Sequence, residues 1–216
     1  MAALLVCTCS LAVALTLAAG MAWAAPSGLL VIPTADVLGP GEASADFFSQ
    51  GRSVLANGDC DRFLGVEVGL PHGVELGVDA CLNDADAGSP WGNLKWQLPT
   101  AGPDRFAVAL GLQNVGHGAA AQPYVTLAQA VGQGRAHAGV IRSDGATRLM
   151  LGAQVPAGET FELVSDYLSG PGGSAGLGFS WSPTPSWSLM VGRIWNRGAG
   201  SEHHWYFDVG YAFKAF

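Results

Sequence analysis

Charge is what this sequence has least of. Lys, Arg, Asp and Glu together make up 12% of its 216 residues, and ten Lys and Arg stand against 17 Asp and Glu, for a formal net charge of −7. The basic residues are dispersed. Binding to a phosphate backbone rests on clustered Lys and Arg, so nucleic acid is excluded as a partner. Helical patterning is missing too: from Glu42 onward no stretch repeats apolar residues at three- and four-residue spacing. There is no G-x-S-x-G nucleophile motif. Cysteine is sparse, and Cys7 and Cys9 fall in the first ten residues, leaving only Cys60 and Cys81 in the body of the chain.

The one long apolar run is "LAVALTLAAGMAWA", which is shorter than the roughly twenty residues a transmembrane helix needs. It ends in Ala22, Trp23 and Ala24, an A-x-A cleavage pattern ahead of Ala25 and Pro26. A secretory signal peptide over 1–24 is the expectation, although no Lys or Arg precedes the run and the terminal amine is the only positive charge there. All charged residues lie after the cut, so the mature chain keeps the full −7. Mean hydropathy is +0.28 despite 31 glycines. An exported protein this apolar and this poor in charge is unusual unless part of its surface faces hydrocarbon.

Apolar residues alternate with small or polar ones in segments of about nine to twelve, separated by Gly, Pro, Asn, Asp and Ser. Strands are expected at 42–55, 62–70, 74–82, 90–98, 105–115, 123–131, 135–142, 148–155, 160–168, 174–182, 187–196 and 203–213. The clearest hairpin is "RFLGVEVGLPHGVELGVDACL". Leu64, Val66, Val68 and Leu70 share a face with Val74, Leu76, Val78, Ala80 and Leu82. The opposite face carries Gly65, Glu67, Gly69, Glu75, Gly77 and Asp79, a mixture of carboxylates and glycine. Glycine is a weak strand former, so its abundance marks a face with little room for side chains, as inside a narrow closed barrel.

Connections such as "ANGDCD" and "NDADAGS" alternate with shorter ones such as "PHG" and "GQG". Transmembrane barrels alternate long loops with short turns in this way. Phe63, Trp91, Phe106, Tyr124, Phe161, Tyr167, Trp181, Trp187, Trp195, Trp205 and Phe213 fall near strand ends, where aromatic girdles would sit. The expected fold is therefore all-β: a closed antiparallel up-and-down transmembrane β-barrel of about twelve strands. Residues 1–24 would be the signal peptide, 25–41 a segment at the periplasmic mouth or in the lumen, and 42–216 the barrel.

The final segment "WYFDVGYAFKAF" resembles the last strand of outer-membrane β-barrel proteins, which characteristically end on an aromatic residue read by the assembly machinery. Trp205, Phe207, Val209, Tyr211 and Phe213 share one face, while Phe216 is out of phase, so a bulge or bend is expected near Lys214 and Ala215. The resemblance implies an assembly signal at Trp205, Phe207, Tyr211, Phe213 and Phe216. A second resemblance lies in "PSGLLVIPTADVLGPGEASADF", similar to the opening of YjbH-type outer-membrane proteins. Gly28, Leu29, Leu30, Pro33, Thr34, Ala35, Pro40, Gly41 and Glu42 carry it. That family is associated with exopolysaccharide production and its members are much longer. The resemblance implies a barrel and, more distantly, a link to surface polysaccharide.

On the inward face the alternation gathers Glu67, Glu75, Asp79, Asn93, Lys95, Gln97, Gln113, Glu162, Asp166 and Asp208. Enclosed charges must be paired or wet, and Lys95 and Arg142 are the partners within reach. A hydrated plug network and a narrow acidic conduit both fit; paired carboxylates also suit glycoside hydrolysis, which needs a defined separation. Cys60 and Cys81 flank one hairpin and fall at one end of the barrel, where a disulfide and two free thiols are both open. Asn83 to Ser89 offers alternating oxygens but lacks the terminal Glu of a calcium loop and reads as a solvated turn. His203 and His204, beside Ser201 and Glu202, point to opposite faces of a strand and cannot act together. No catalytic residue, metal or cofactor is expected.

These readings converge on an outer-membrane barrel with a structural or transport role, linked to export of surface polysaccharide, with outer-membrane lipid and the barrel assembly machinery as partners. Two other classes stand as alternatives: a soluble secreted β-sandwich that binds carbohydrate, and an outer-membrane lipid-modifying enzyme.

Overall fold

The computed structural model describes residues 28–53, 60–82, 90–100, 106–116, 120–197 and 203–216, with the side chains of Cys60 and Asp61 excepted. The expected signal peptide at 1–24, the turn at 83–89, and Ser201 and Glu202 lie outside the described residues.

Twelve strands form one sheet: β1 (Glu42–Gly51), β2 (Cys60–Leu70), β3 (Val74–Cys81), β4 (Pro90–Gln97), β5 (Phe106–Val115) and β6 (Gln122–Val131), then β7 (Gly134–Ser143), β8 (Ala146–Pro156), β9 (Phe161–Leu168), β10 (Ser174–Thr184), β11 (Trp187–Asn196) and β12 (His203–Lys214). Each pairs antiparallel with the next, and β12 returns to β1, so the sheet is a closed barrel with no free edge. The strands are eight to twelve residues long, which suits a tilted crossing of a bilayer.

The period-two pattern sorts the side chains as the sequence predicts. Leu64, Val66, Leu76, Val78, Leu94, Leu149, Leu163 and Leu177 point outward and are exposed. Ser44, Asp46, Glu75, Lys95, Asp166 and Asp208 point inward and are buried. An apolar exterior of this extent would be a liability in water; against lipid it is the stable arrangement.

Aromatic side chains divide by phase, which corrects part of the girdle expectation. Phe106, Phe161, Trp181, Trp187, Trp195, Trp205 and Phe213 lie on the exterior, where Phe161 stacks on Trp181 and Trp187 packs against Tyr211. At the end of the barrel where β11 runs into β12, the Arg193 guanidinium lies 4.7 Å above the Trp205 ring and that of Arg197 lies 5.3 Å from Tyr167. Phe63 and Tyr124 instead are buried inside, and Trp91 joins Phe63 there. Leu64 and Val66 face out, so the residue one position before them must face in.

Turn chemistry closes the hairpins. Pro71–Gly73 forms a single 3-10 turn between β2 and β3, with His72 and Gly73 at positive φ. Asp144 and Gly145, at φ 52 and 76, make a two-residue turn between β7 and β8, the geometry that matches strand twist. Longer and shorter connections alternate as expected, with two exceptions. The β7–β8 turn is short where a long one is expected, and the chain from 98 to 105 between β4 and β5 is long where a short one is expected.

Of the bulge or bend expected near Lys214 and Ala215, there is no bulge. β12 pairs without a register shift along all of β1, down to Glu42 opposite Lys214, and simply ends there. The Ala215 N–H donates to the Gly41 carbonyl at 2.8 Å, and Phe216 is left 75% exposed. Register shifts fall instead in β5 against β4, where Asn114 sits at φ 58, and in β10 against β11 between Trp181 and Thr184.

Candidate functional site

Eight strands make a barrel that side chains can fill; twelve enclose more space than that. Here the extra space is occupied by the chain's own residues 28–38. The Leu29 N–H donates to the Ile32 carbonyl at 2.8 Å and Gly28 bridges Pro33, which makes a tight hairpin inside the lumen. Leu29, Leu30 and Ile32 are buried in one cluster with Tyr124, Ile141, Met150, Val164, Met190, Ile194 and Tyr206 from the wall.

The inward glycines find their reason here. A Cβ on Gly176 would come within 2.8 Å of the Leu30 side chain, and one on Gly192 within 2.6 Å of it. The wall is thinned where the plug presses against it.

Polar contacts pin the segment along its length. The Asp166 carboxylate accepts the Val31 N–H at 2.6 Å and the Ile32 N–H at 3.3 Å, satisfying two backbone donors that the hairpin itself leaves open. Further along, Ala35 is fully buried against the small side chains Ala107, Ala109 and Ala128. Gln97 donates to the Ala35 carbonyl at 2.8 Å, and the Lys95 ammonium to the Asp36 carbonyl at 3.0 Å. Arg135 grips the Asp36 carboxylate with two bonds of 2.9 and 2.6 Å. The Leu38 N–H donates to Glu75 at 2.8 Å, and a turn from Gly39 to Glu42 leads into β1. These last anchors come from the start of β3, the end of β4 and the start of β7, so the segment leaves the lumen at the end of the barrel where the β2–β3 and β6–β7 turns lie.

Between the hairpin and the wall formed by β1 to β6 and β12 is a cavity of about 320 Å³. Its lining includes Asp46, Glu67, Glu75, Asp79 and Asp208, with Lys95 as the one cation among the described residues. Lys95 is already committed: its Nζ lies 3.4 Å from Glu75, both side chains being 4% exposed. Asn93 donates to Asp79 at 2.6 Å, Ser44 to Asp46 at 3.3 Å, and the Tyr206 hydroxyl to Asp208 at 3.1 Å. One wall is aromatic: Phe48 stacks on Phe63 with centroids 4.7 Å apart, and Trp91 meets Phe63 at 5.2 Å.

The sequence-predicted lumen residues thus separate into places. Glu67, Glu75, Asp79, Lys95 and Asp208 line the cavity together with Asn93 and Gln113. Asp166 holds the plug, Gln97 holds Ala35, and Glu162 accepts a bond from Gln154 at 3.1 Å, away from the cavity. Arg142 is not a partner for any of them. It lies on the exposed face, and the inward cations of that region are Arg135 and Arg148, the latter paired with Asp144 at 2.9 Å. Cys81 is a buried free thiol opposite Phe63 in the register, and the side chain of Cys60 lies outside the described residues. His204 turns inward near Asn196, and His203 turns outward.

Sequence reasoning missed Asp36, Asp46, Phe48 and Tyr206. The last three were legible from phase alone: "SADFFSQ" alternates from Ser44 inward, and Tyr206 precedes the outward Phe207. Among the described residues, no three His, Cys, Asp or Glu side chains are grouped to hold a metal ion.

No protein-family model matches this chain, and no curated protein matches it. Among solved structures it is similar to the NanC porin, with a TM-score of 0.59 at 12% identity over 79% of this chain and 99% of that one. It is likewise similar to the KdgM porin, with a TM-score of 0.58 at 11% identity and the same coverage, and to that porin in complex with disordered oligogalacturonate, with a TM-score of 0.56. At such identity the likeness is one of fold: a closed twelve-stranded barrel of outer-membrane porin architecture.

Proposed function

We propose that this protein is an outer-membrane barrel with a transport role, whose passage is closed by residues 28–38 and opened when they leave the lumen. One observation carries the reading: the segment that fills the lumen is a separate stretch of chain and not part of the wall. Its retention is finely balanced. Ordering eleven residues costs about 11–22 kcal/mol. Burying Leu29, Leu30 and Ile32 returns about 5–9 kcal/mol, and the bonds to Asp166, Glu75, Lys95, Gln97 and Arg135 add about 6–12 kcal/mol. The sum is near zero, so the hairpin can be displaced without unfolding twelve hydrogen-bonded strands.

Oligogalacturonate, which accompanies KdgM in one of the similar structures, is a chain of uronic acids. In this cavity such an anion would meet five carboxylates and a lysine already paired with Glu75. The charge here favours neutral or cationic solutes. A role in surface-polysaccharide export, implied by the YjbH-type resemblance of residues 28–42, is compatible only with a neutral or amino-bearing polymer. In this reading the exterior meets outer-membrane lipid, and Trp205, Phe207, Tyr211, Phe213 and Phe216 are what the assembly machinery reads.

Planar-bilayer conductance of the refolded mature chain, with and without residues 28–38, tests the proposal. Low or flickering conductance that becomes large and steady on deletion is expected. Equal conductance would overturn the plug, and silence from both would overturn transport.

A further inference from the structure

We propose that the lumen cavity is a binding site for an organic cation, a protonated amine carried on a small aliphatic or sugar skeleton. Three features coincide there, and each points to the same ligand chemistry.

The first is a pair of carboxylates brought face to face on the cavity wall. Asp46 is 6% exposed, and the Ser44 hydroxyl donates to its Oδ1. Asn93 takes Oδ2 of Asp79. The remaining oxygens, Oδ2 of Asp46 and Oδ1 of Asp79, converge over Gly65, the residue between them in the register, and a Cβ at Gly65 would collide with both. They have no donor among the described residues, and both residues line the cavity. Two carboxylate oxygens brought together away from bulk water need positive charge between them, which a shared proton supplies in the empty site and a protonated amine can supply in its place.

The second is the aromatic wall. Phe48, Phe63 and Trp91 sit on the three strands beside those carboxylates, with Phe63 in contact with both of the others. Ring faces attract cations and also cover the apolar stem of an amine or the apolar face of a sugar. A bare metal ion would have no use for them.

The third is size. A volume of about 320 Å³ lies at the lower end of the range for small-molecule sites, and is far more than one hydrated ion requires. Lys95, the only cationic lining residue among the described residues, lies against Glu75 and the Asp36 carbonyl and not against Asp46 or Asp79.

The ligand class rests on the transport reading only for its consequence, since binding needs no passage. Isothermal titration of the detergent-folded protein with spermidine, glucosamine, glucose and galacturonate is the test. Spermidine or glucosamine should bind, glucose should bind more weakly, and galacturonate not at all. Asp79→Asn and, separately, Asp46→Asn should each weaken the cation by about tenfold or more, equivalent to about 1.4 kcal/mol. Both are near-isosteric, and heat-modifiable gel migration reports whether each barrel has folded. Phe63→Leu should weaken the cation as well. Tighter binding of galacturonate than of either amine, or unchanged amine affinity in both folded Asn variants, would overturn the site. Because the titration is independent of conductance, amine binding with a silent bilayer would leave the site standing and remove the transport reading.

Discussion

The carboxylate of Asp166 on β9 accepts both the Val31 and the Ile32 N–H, at 2.6 and 3.3 Å, and so holds the tip of the lumen hairpin from the wall. Replacing it with Leu strands two buried donors, at about 1–3 kcal/mol each. Asp166→Leu is expected to release the hairpin while the barrel persists. Hydrogen exchange at Val31 and Ile32 should accelerate by one or more orders of magnitude, with strand amides unchanged, and bilayer conductance should rise. Continued protection of both amides would show that the apolar contacts of Leu29, Leu30 and Ile32 suffice.

Two substitutions separate the faces of the β2–β3 hairpin. Leu76 is exposed on the exterior, so Leu76→Arg should destabilise the barrel in lipid by about 2–4 kcal/mol if it lies near the midplane. Gly69 faces inward, where a Cβ would strike the Leu38 and Gly39 carbonyls. Gly69→Ala should therefore disturb the plug exit and raise conductance, with little change in the urea midpoint of the barrel. Equal effects of the two on stability would contradict the alternation.

Lys95 and Glu75 form an ion pair that is almost wholly enclosed. Breaking such a pair from one side leaves a buried charge, so Lys95→Met should lower stability by about 3–5 kcal/mol. The double variant Lys95→Met, Glu75→Gln should recover much of the loss, since the Gln side chain can still accept from the Leu38 N–H. Refolding midpoints in urea measure both.

Gly111 stands opposite Tyr124 in the β5–β6 register, and the tyrosine ring lies across it, against the place where a Cβ would be. Gly111→Ala should push the ring off its rotamer at about 1–3 kcal/mol. Adding Tyr124→Ala should make the Gly111 substitution nearly neutral. A strict sum of the two single effects would show that the ring does not depend on the glycine.

Phe216 is exposed and past the end of β12, so it contributes little buried area to the folded state. Deleting it should leave detergent refolding unchanged while reducing the amount inserted in the outer membrane of cells. Truncating Trp205 or Phe207, which lie on the lipid face of β12, should weaken refolding itself. Unchanged assembly without Phe216 would remove the terminal aromatic from the assembly signal.

The barrel was legible because period-two alternation is local. "LGVEVGL" and "VELGVDA" state their own faces, and Gly-rich turns state their ends. The inside was legible only as a list of polar residues, because nothing local says which inward side chains meet across the lumen. Asp166 and Val31 are 135 positions apart. Phe63, Trp91 and Tyr124 were misplaced on the exterior because nearness to a strand end was given more weight than phase. The inward glycines signalled restricted volume correctly, yet what restricts it differs from place to place: Asp46 and Asp79 over Gly65, the Leu38 and Gly39 carbonyls over Gly69, and Leu30 over Gly176 and Gly192, from a stretch with no periodicity at all.

The plug is joined to the barrel at its seam. β1 and β12 are adjacent in the ring but come from opposite ends of the chain, and the turn from Gly39 to Glu42 delivers residues 28–38 directly into β1. Pairings between the most distant segments carry the largest loop-closure cost and form late. Until β1 meets β12, the ring has an open side, and the hairpin can swing in through that gap. Once Glu42 has found Lys214, the only way in or out is along the axis. A hairpin already inside when β1 meets β12 is enclosed by that pairing, and the exit that the transport proposal requires then runs along the axis.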